Sequence, residues 1–203
     1  MKAENPKILF VNGCPRGEQS RTLMLARKFL DKVRALRPDA EIVEADLNTL
    51  NLQPMDAAAL AKKDVWCDEQ DWSRPELQQA LMFQQVDAVV IAAPYWDYSF
   101  PAIVKVWVEN IWVRDLTFTY EGPVCKGLCR GKCAVYITTS GSPIGENDWG
   151  TGYIRAVMQA LGIPDFYLAS AQGLDLDGAD VLALLDATGI ELGKIAAEIT
   201  SGL

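Results

Sequence analysis

The sequence predicts an α/β fold in which five parallel strands form one doubly wound sheet with helices on both faces. Five short apolar runs alternate with segments whose apolar residues recur at helical spacing. The strongest run, residues 86–94, is continuously apolar, rich in β-branched residues and ends in a proline. Parallel neighbours need crossover connections, and the helices of those connections then cover both faces of the sheet.

The chain opens with a strand, a loop and a helix. Residues 7–13 form a short apolar run that ends in glycine, which is typical of a strand buried on both faces. Apolar residues from Leu23 to Val33 follow at helical spacing, and Pro38 ends this helix. Residues 41–47 offer a second strand, and their closeness to the helix indicates a right-handed crossover into a parallel pair.

The pattern is weaker over residues 51–72, where 57–61 favour a helix and 66–72 favour a loop. Ser73, Pro75 and Glu76 then form a capping-box signature, which predicts a helix that starts there and runs to about Gln85.

The run at 86–94 should lie in the centre of the sheet. Four more elements are predicted after it: a helix opened by Pro101, a strand over 132–139, a helix over 153–161 and a strand over 166–171. A closing helix extends from Val181 to Ile199. The length of 203 residues favours a single domain over residues 1–203.

The amino-acid composition excludes several classes of site and argues against one kind of partner. The chain has no histidine, which excludes Ser-His-Asp and Cys-His nucleophile systems and histidine-ligated metals. A net charge of −8 opposes a nucleic-acid partner. The sequence shows neither a long apolar span nor a signal-peptide layout, and its five cysteines fit reduced thiols. We therefore expect a soluble cytoplasmic protein with no metal and no membrane partner.

Ligands of doubly wound sheets bind beyond the carboxyl ends of the strands, so the loops after the first, third and fourth strands are the candidate site. The first loop carries hydroxyls at Ser20 and Thr22, two arginines, and the N–H groups that start a helix. Together these groups suit a phosphate monoester. The loop lacks the lysine of a P-loop and the G-x-G-x-x-G pattern. Alternatively, Ser20 is an ordinary helix cap.

The other two loops suit a flat ring. Residues 94–101 carry four aromatic side chains, whose apolar bodies and polar tips favour contact with a planar heterocycle, although core packing is the alternative. Residues 139–145 form a small turn rich in N–H groups, which are placed to stabilise charge that develops on a ring edge. An ordinary surface turn would have the same composition.

Together, the loops resemble those of the FMN-dependent NAD(P)H azoreductase and quinone reductase family, which has a flavodoxin-like fold. The resemblance runs from Lys7 to the final helix. It depends on Pro15-Arg16, Ser20-Arg21-Thr22, Ala92-Ala93-Pro94-Tyr95-Trp96-Asp97-Tyr98, Pro101, Lys105-x-Trp107, Thr117-Phe118-x-Tyr120-x-Gly122-Pro123, Gly127-Leu128 and Gly131-Lys132.

The resemblance implies non-covalent FMN, with its phosphate at Ser20 to Thr22, its ring along Tyr95 to Tyr98 and its pyrimidine edge at residues 139–142. The full set of implied cofactor-binding residues is Cys14, Arg16, Ser20, Arg21, Thr22, Pro94, Tyr95, Trp96, Asp97, Tyr98, Thr139, Ser140, Gly141 and Ser142.

The resemblance also implies a homodimer that passes two electrons from NADH or NADPH to quinones or to azo or nitro aromatic compounds by a ping-pong mechanism. Hydride transfer between stacked rings needs no imidazole. Protons for the acceptor then come from water or from Tyr120, the candidate catalytic residue.

The sequence departs from the family pattern at three positions. Cys14 stands where the family commonly has serine, Asp97 where it has asparagine, and Ser142 where it has the second glycine of a pair. These changes put the substrate and redox details in doubt, not the fold.

Two alternatives remain open. Cys125, Cys129 and Cys133 have a spacing that suggests an iron–sulfur flavoprotein, although a small apolar residue at the start of a strand explains Cys133 equally well. A flavodoxin-type electron carrier or a redox-sensing FMN module would share the acidic surface. The aromatic segment from Trp107 to Tyr120 favours the enzyme.

Overall fold

The computed structural model describes residues 5–203 and contains the expected parallel sheet of five strands in the order β2-β1-β3-β6-β7. The strands are β1 (Lys7–Asn12), β2 (Glu41–Asp46), β3 (Ala88–Ala92), β6 (Cys133–Thr139) and β7 (Asp165–Ala171). The strand from the strongest apolar run, β3, is central as expected, and every residue in it is buried. The predicted fold class is confirmed.

Helices cover both faces of the sheet. They are α1 (Arg21–Leu36), α2 (Ala57–Glu69), α3 (Gln78–Gln85), α4 (Ala102–Ile111), α5 (Trp149–Ala160) and α6 (Val181–Gly202). Alternate residues of β3 supply the two cores: Val90 packs with α1 and α6, whereas Val89 packs with α3, α4 and α5. In the part of the chain that the structure describes, no helix combines the length and apolarity that crossing a membrane requires.

The structure corrects the prediction for residues 51–86. Trp66 lies in helix α2 rather than in a loop. This helix starts where Asp56 accepts a hydrogen bond from the Ala59 N–H at 2.8 Å, and it ends only at Gln70, whose φ is 53°. The capping box at Ser73 is also wrong. The Ser73 hydroxyl donates to Asp71 Oδ1 at 2.5 Å, and a single 3₁₀ turn over Pro75–Leu77 precedes α3 without a side-chain cap.

The sequence prediction did not include the antiparallel hairpin formed by β4 (Phe118–Glu121) and β5 (Val124–Gly127). Its two-residue turn starts with Gly122, whose φ of 62° suits glycine in the left-handed region. At its base, a Cβ on Gly127 would lie 2.0 Å from the carbonyl carbon of Leu161, so only glycine fits. The hairpin is therefore held by a direct backbone contact with the segment that follows α5.

The helix predicted over 153–161 starts earlier than expected. It begins at Trp149, because the Asp148 side chain accepts a hydrogen bond from the Thr151 N–H at 2.8 Å and so caps it.

Candidate functional site

A cavity of about 340 Å³ lies at the carboxyl ends of β1, β3 and β6. The three loops identified in the sequence meet there, as expected for a doubly wound sheet. Ten of the predicted residues line it: Arg16, Ser20, Arg21, Thr22, Pro94, Tyr95, Trp96, Thr139, Ser140 and Gly141.

The start of helix α1 forms one wall. The Ser20 hydroxyl caps the helix by accepting a hydrogen bond from the Leu23 N–H at 3.3 Å. The interpretation of Ser20 as a helix cap is therefore confirmed. The backbone N–H groups of Arg21 and Thr22 have no acceptor among residues 5–203. Two free N–H groups at a helix N-terminus suit an anion.

Gly13 holds this loop against the sheet. Its N–H donates to the Ala92 carbonyl at 2.8 Å. A Cβ on Gly13 would lie 2.6 Å from Cγ2 of Val104 in helix α4. The loop can approach the end of β3 this closely because Gly13 has no side chain.

The two arginines of the site differ in their partners. Arg21 donates to Asp175 Oδ1 at 2.7 Å, so its charge is partly compensated within the site. The Arg16 side chain is exposed and has no hydrogen bond or ion pair with any residue that the structure describes. It is therefore the cation that remains available to a phosphate.

The loop after β6 contributes a second set of free donors. The Ser140 hydroxyl donates to the Ser142 carbonyl at 2.6 Å and so closes the turn. Within the described chain, the N–H groups of Gly141 and Ser142 have no acceptor. Ser140 is 4% exposed. This turn therefore forms part of the cavity wall and is not an ordinary surface turn.

The aromatic loop after β3 turns sharply. Trp96 and Ser99 exchange two backbone hydrogen bonds, and the two residues between them, Asp97 and Tyr98, have φ values of 50° and 65°. Such a turn needs positive φ at both central positions, which a tyrosine rarely adopts. Trp96 is 38% exposed and Tyr98 61% exposed. Tyr95 and Trp96 therefore line the cavity and Tyr98 lies on the surface, whereas Phe100 packs against the core.

Five predicted site residues do not line the cavity: Cys14, Asp97, Tyr98, Ser142 and Tyr120. The Cys14 thiol is buried and donates to the Ala92 carbonyl at 3.4 Å, and burial raises its pKa to about 11. Tyr120 lies on the hairpin with its ring edge against Phe118. The roles of these five residues stay predictions.

Three further residues line the cavity: Gln19, Leu174 and Asp175. Leu174 and Asp175 follow β7, and their N–H groups donate to the carbonyls of Ser140 and Gly141 at 3.1 and 2.9 Å. The sequence did contain a signal for Leu174 and Asp175, because they follow the fifth strand and the loop after that strand lies at the same edge of the sheet.

The cysteines do not converge. Cys133 packs on the α1 and α6 face of the sheet, whereas Cys129 packs on the opposite face and Cys125 is partly buried against that same face. Residues 5–203 contain no group of three histidine, cysteine, aspartate or glutamate side chains that could hold a metal ion. The separation of the thiols argues against an iron–sulfur cluster on these three residues.

The donors of the cavity fit FMN. Two free N–H groups at α1 and the Arg16 side chain suit a phosphate, and the free N–H group of Gly141 suits the polar edge of a ring. Trp96 and Tyr95 offer the aromatic contact that a planar ring needs.

Comparison with known proteins identifies the family of the chain. The sequence profile of the flavodoxin-like fold family matches residues 6–192. The chain is 35% identical over 195 residues to FMN-dependent NADH:quinone oxidoreductase 2 of Clostridium acetobutylicum, covering 93% of this chain and 96% of that protein. It is 34% identical to the FMN-dependent NADH:quinone oxidoreductase of Clostridium beijerinckii, covering 89% and 92%.

Solved structures share the fold. An azoreductase from Bacillus anthracis superposes with a TM-score of 0.85 at 20% identity, covering 95% of this chain and 99% of that one. An FMN-dependent NADH-azoreductase from the same species, in complex with FMN, gives 0.84 at 21% identity, covering 96% and 99%.

Proposed function

The chain belongs to the flavodoxin-like fold family that includes the FMN-dependent NADH:quinone oxidoreductases, and we propose from this premise that it is an FMN-dependent oxidoreductase. It transfers two electrons from NADH or NADPH to quinones and to azo or nitro aromatic compounds. The observation that carries the proposal is the cavity in which three loops bring an anion site and an aromatic wall together.

The start of helix α1 would hold the phosphate. Ser20 caps the helix, the N–H groups of Arg21 and Thr22 face no acceptor in the described chain, and Arg16 supplies an uncompensated charge. The helix dipole adds to the attraction for an anion. These local groups offset the repulsion that a net charge of −8 exerts on a phosphate.

The loops after β3 and β6 would hold the ring. Tyr95 is fixed between them, because its N–H donates to the Thr139 carbonyl at 2.9 Å and its hydroxyl donates to the Asn147 carbonyl at 3.2 Å. The Gly141 and Ser142 N–H groups are placed to stabilise negative charge on the ring edge.

Bound FMN would supply the hydride chemistry, and the chain positions the reacting rings. Trp96 lines the cavity and is 38% exposed, so a ring that packs against it would be accessible from solvent. One accessible face serves the nicotinamide and the acceptor in turn, so we propose a ping-pong mechanism.

We also propose that the protein is a cytoplasmic homodimer. Aromatic side chains near the loops are exposed in the single chain, including Tyr98, Tyr120 and Trp149. Tyr120 lies outside the cavity of its own chain, which suits a proton donor that acts across a dimer interface. The five free cysteines support a reducing compartment.

The test starts with the purified chain. Any bound chromophore is released by denaturation and identified by mass, and NADH and NADPH are then added separately with a quinone. We expect FMN, rapid nucleotide oxidation and parallel double-reciprocal lines. A protein that neither contains nor takes up FMN would refute the proposal, and intersecting lines would refute the ping-pong mechanism alone. An accumulating one-electron reduced flavin with slow turnover would favour the electron carrier.

A further inference from the structure

Asp175 places a carboxylate in the wall of the cavity at the carboxyl ends of the strands. It belongs to a fourth loop, which follows β7. Its backbone is fixed, because its N–H donates to the Gly141 carbonyl at 2.9 Å and the Leu174 N–H donates to the Ser140 carbonyl at 3.1 Å. The carboxylate therefore starts from a defined position on the wall.

The two oxygens of this carboxylate have different surroundings. Oδ1 accepts a hydrogen bond from Nη1 of Arg21 at 2.7 Å, on the side proposed for the phosphate. Oδ2 lies beside Gly141, on the side proposed for the ring edge, where a Cβ on that glycine would be 2.4 Å away. Among residues 5–203, no group donates a hydrogen bond to Oδ2. The carboxylate thus lies between Arg21 and Gly141 and has one free oxygen.

Gly141 makes room for this carboxylate. Its φ is not positive, so the backbone conformation does not itself require glycine. Any side chain at this position would instead take the space of Asp175 Oδ2. The absence of a side chain at Gly141 is therefore fitted to the carboxylate of Asp175.

The chemistry of the wall alternates along its length. A carboxylate only accepts hydrogen bonds, whereas the free backbone groups on either side of it, at Arg21 and Thr22 and at Gly141, are N–H donors. In FMN, the phosphate and the carbonyl edge of the ring accept hydrogen bonds, and the ribityl chain that joins them carries hydroxyl groups that donate. The phosphate itself is repelled by a carboxylate. The order of acceptors and donors in FMN therefore matches the wall when the ribityl chain lies beside Asp175.

We propose that Asp175 binds the ribityl chain of the flavin, with Oδ2 accepting a hydrogen bond from a chain hydroxyl. Asp175 then selects flavins that carry the hydroxylated chain over flavins that have only the ring. This inference rests on the proposed function, since it takes FMN as the ligand of the cavity.

The experiment measures the dissociation constants of FMN, riboflavin and lumiflavin by flavin fluorescence quenching, with the full chain freed of bound flavin. Lumiflavin keeps the whole ring system, including its N3–H, and has a methyl group in place of the ribityl chain. Asp175→Ala should lower the preference for riboflavin over lumiflavin roughly fivefold. Asp175→Asn retains a side-chain acceptor and should recover part of this preference. Asp177→Ala, which removes an exposed carboxylate outside the cavity, should leave it unchanged.

Gly141→Ala is a second test of the same contact. Its methyl group should displace the Asp175 carboxylate and so lower the preference for riboflavin over lumiflavin. In the Asp175→Ala background, it should have no further effect on that preference. Arg21→Gln removes the partner of Oδ1 and leaves Oδ2 in place, so the preference should persist.

Three results would overturn the proposal. An unchanged preference in Asp175→Ala would show that the carboxylate does not bind the flavin, and equal losses for riboflavin and lumiflavin would place it at the ring. A loss of preference in Arg21→Gln as large as in Asp175→Ala would show that Asp175 acts only through its ion pair. An unmodified chain that binds none of the three flavins would refute the proposed function itself.

Discussion

The hydroxyl oxygens of Thr22 and Thr139 lie 2.6 Å apart in a buried hydrogen bond. Thr22 belongs to the first turn of α1, and Thr139 is the last residue of β6. The bond therefore joins the wall proposed for the phosphate to the wall proposed for the ring edge.

This bond gives a stability prediction. Thr22→Val should lower the free energy of unfolding by about 1–3 kcal/mol, because it leaves the Thr139 hydroxyl buried without a partner. Replacing both threonines with valine should restore most of the loss, since no polar group is then orphaned. Urea denaturation of the two single variants and the double variant measures this. A double variant less stable than either single one would contradict the explanation.

Arg16→Gln should weaken FMN binding and leave riboflavin binding nearly unchanged, because only FMN carries the phosphate. The side chain is exposed, so we expect about 1 kcal/mol, or roughly a fivefold change in Kd. Flavin fluorescence quenching at low and moderate salt measures it, and the difference should shrink with salt. Arg34→Gln, on helix α1 and paired with Asp31, is the control. Equal losses for both ligands would place the phosphate elsewhere.

Asp175→Asn should strengthen FMN binding relative to riboflavin. It removes a negative charge from the cavity wall and releases Arg21 from its ion pair. The pair is exposed, so the gain should be a few-fold and should fade at high salt. Asp177→Asn tests the same change two residues away, outside the cavity. If both variants bind FMN more tightly by the same factor, the change in net charge alone explains the effect.

Asp97→Asn should raise the two-electron reduction potential of the bound flavin. Asparagine tolerates the φ of 50° at this position, so the backbone should not change. A nearby carboxylate opposes the anionic reduced form, and solvent limits the effect to about ten to a few tens of millivolts. A redox titration of both proteins at pH 7 measures it. An unchanged or lower potential would show that Asp97 does not border the flavin.

Alkylation should select Cys125. Burial raises the pKa of Cys14 to about 11 and that of Cys129 and Cys133 to about 12, so these thiols hold almost no thiolate at pH 8. Cys125 is half-buried and accessible. Peptide mass mapping after brief iodoacetamide treatment of the folded protein should find Cys125 modified first. Labelling of Cys14 before Cys125 would show that the loop around Cys14 opens.

The sheet could be predicted from sequence because each of its strands is a local apolar run bounded by turn residues. The first wall of the cavity could be predicted for the same reason: Ser20, Arg21 and Thr22 are adjacent in the chain. Trp66 was misplaced because helix α2 has little apolar periodicity and depends on its Asp56 cap.

Long-range pairs could not be predicted in this way. The place of Asp175 after the fifth strand predicts that it lies at this edge of the sheet, but nothing near it in the sequence indicates its ion pair with Arg21, 154 residues earlier. The hairpin is an intermediate case. Its Gly122-Pro123 turn is a local signal, but both strands are only four residues long.

The backbone contact at Gly127 limits where the sequences of related proteins can change. At the base of the hairpin, even a methyl group would collide with Leu161, so substitutions and insertions there should be eliminated by selection. At its tip, a Cβ on Gly122 would meet no described atom within 4 Å. Added residues are therefore tolerated at the tip, and the length of the hairpin can vary between species while the sheet and its loops stay in place.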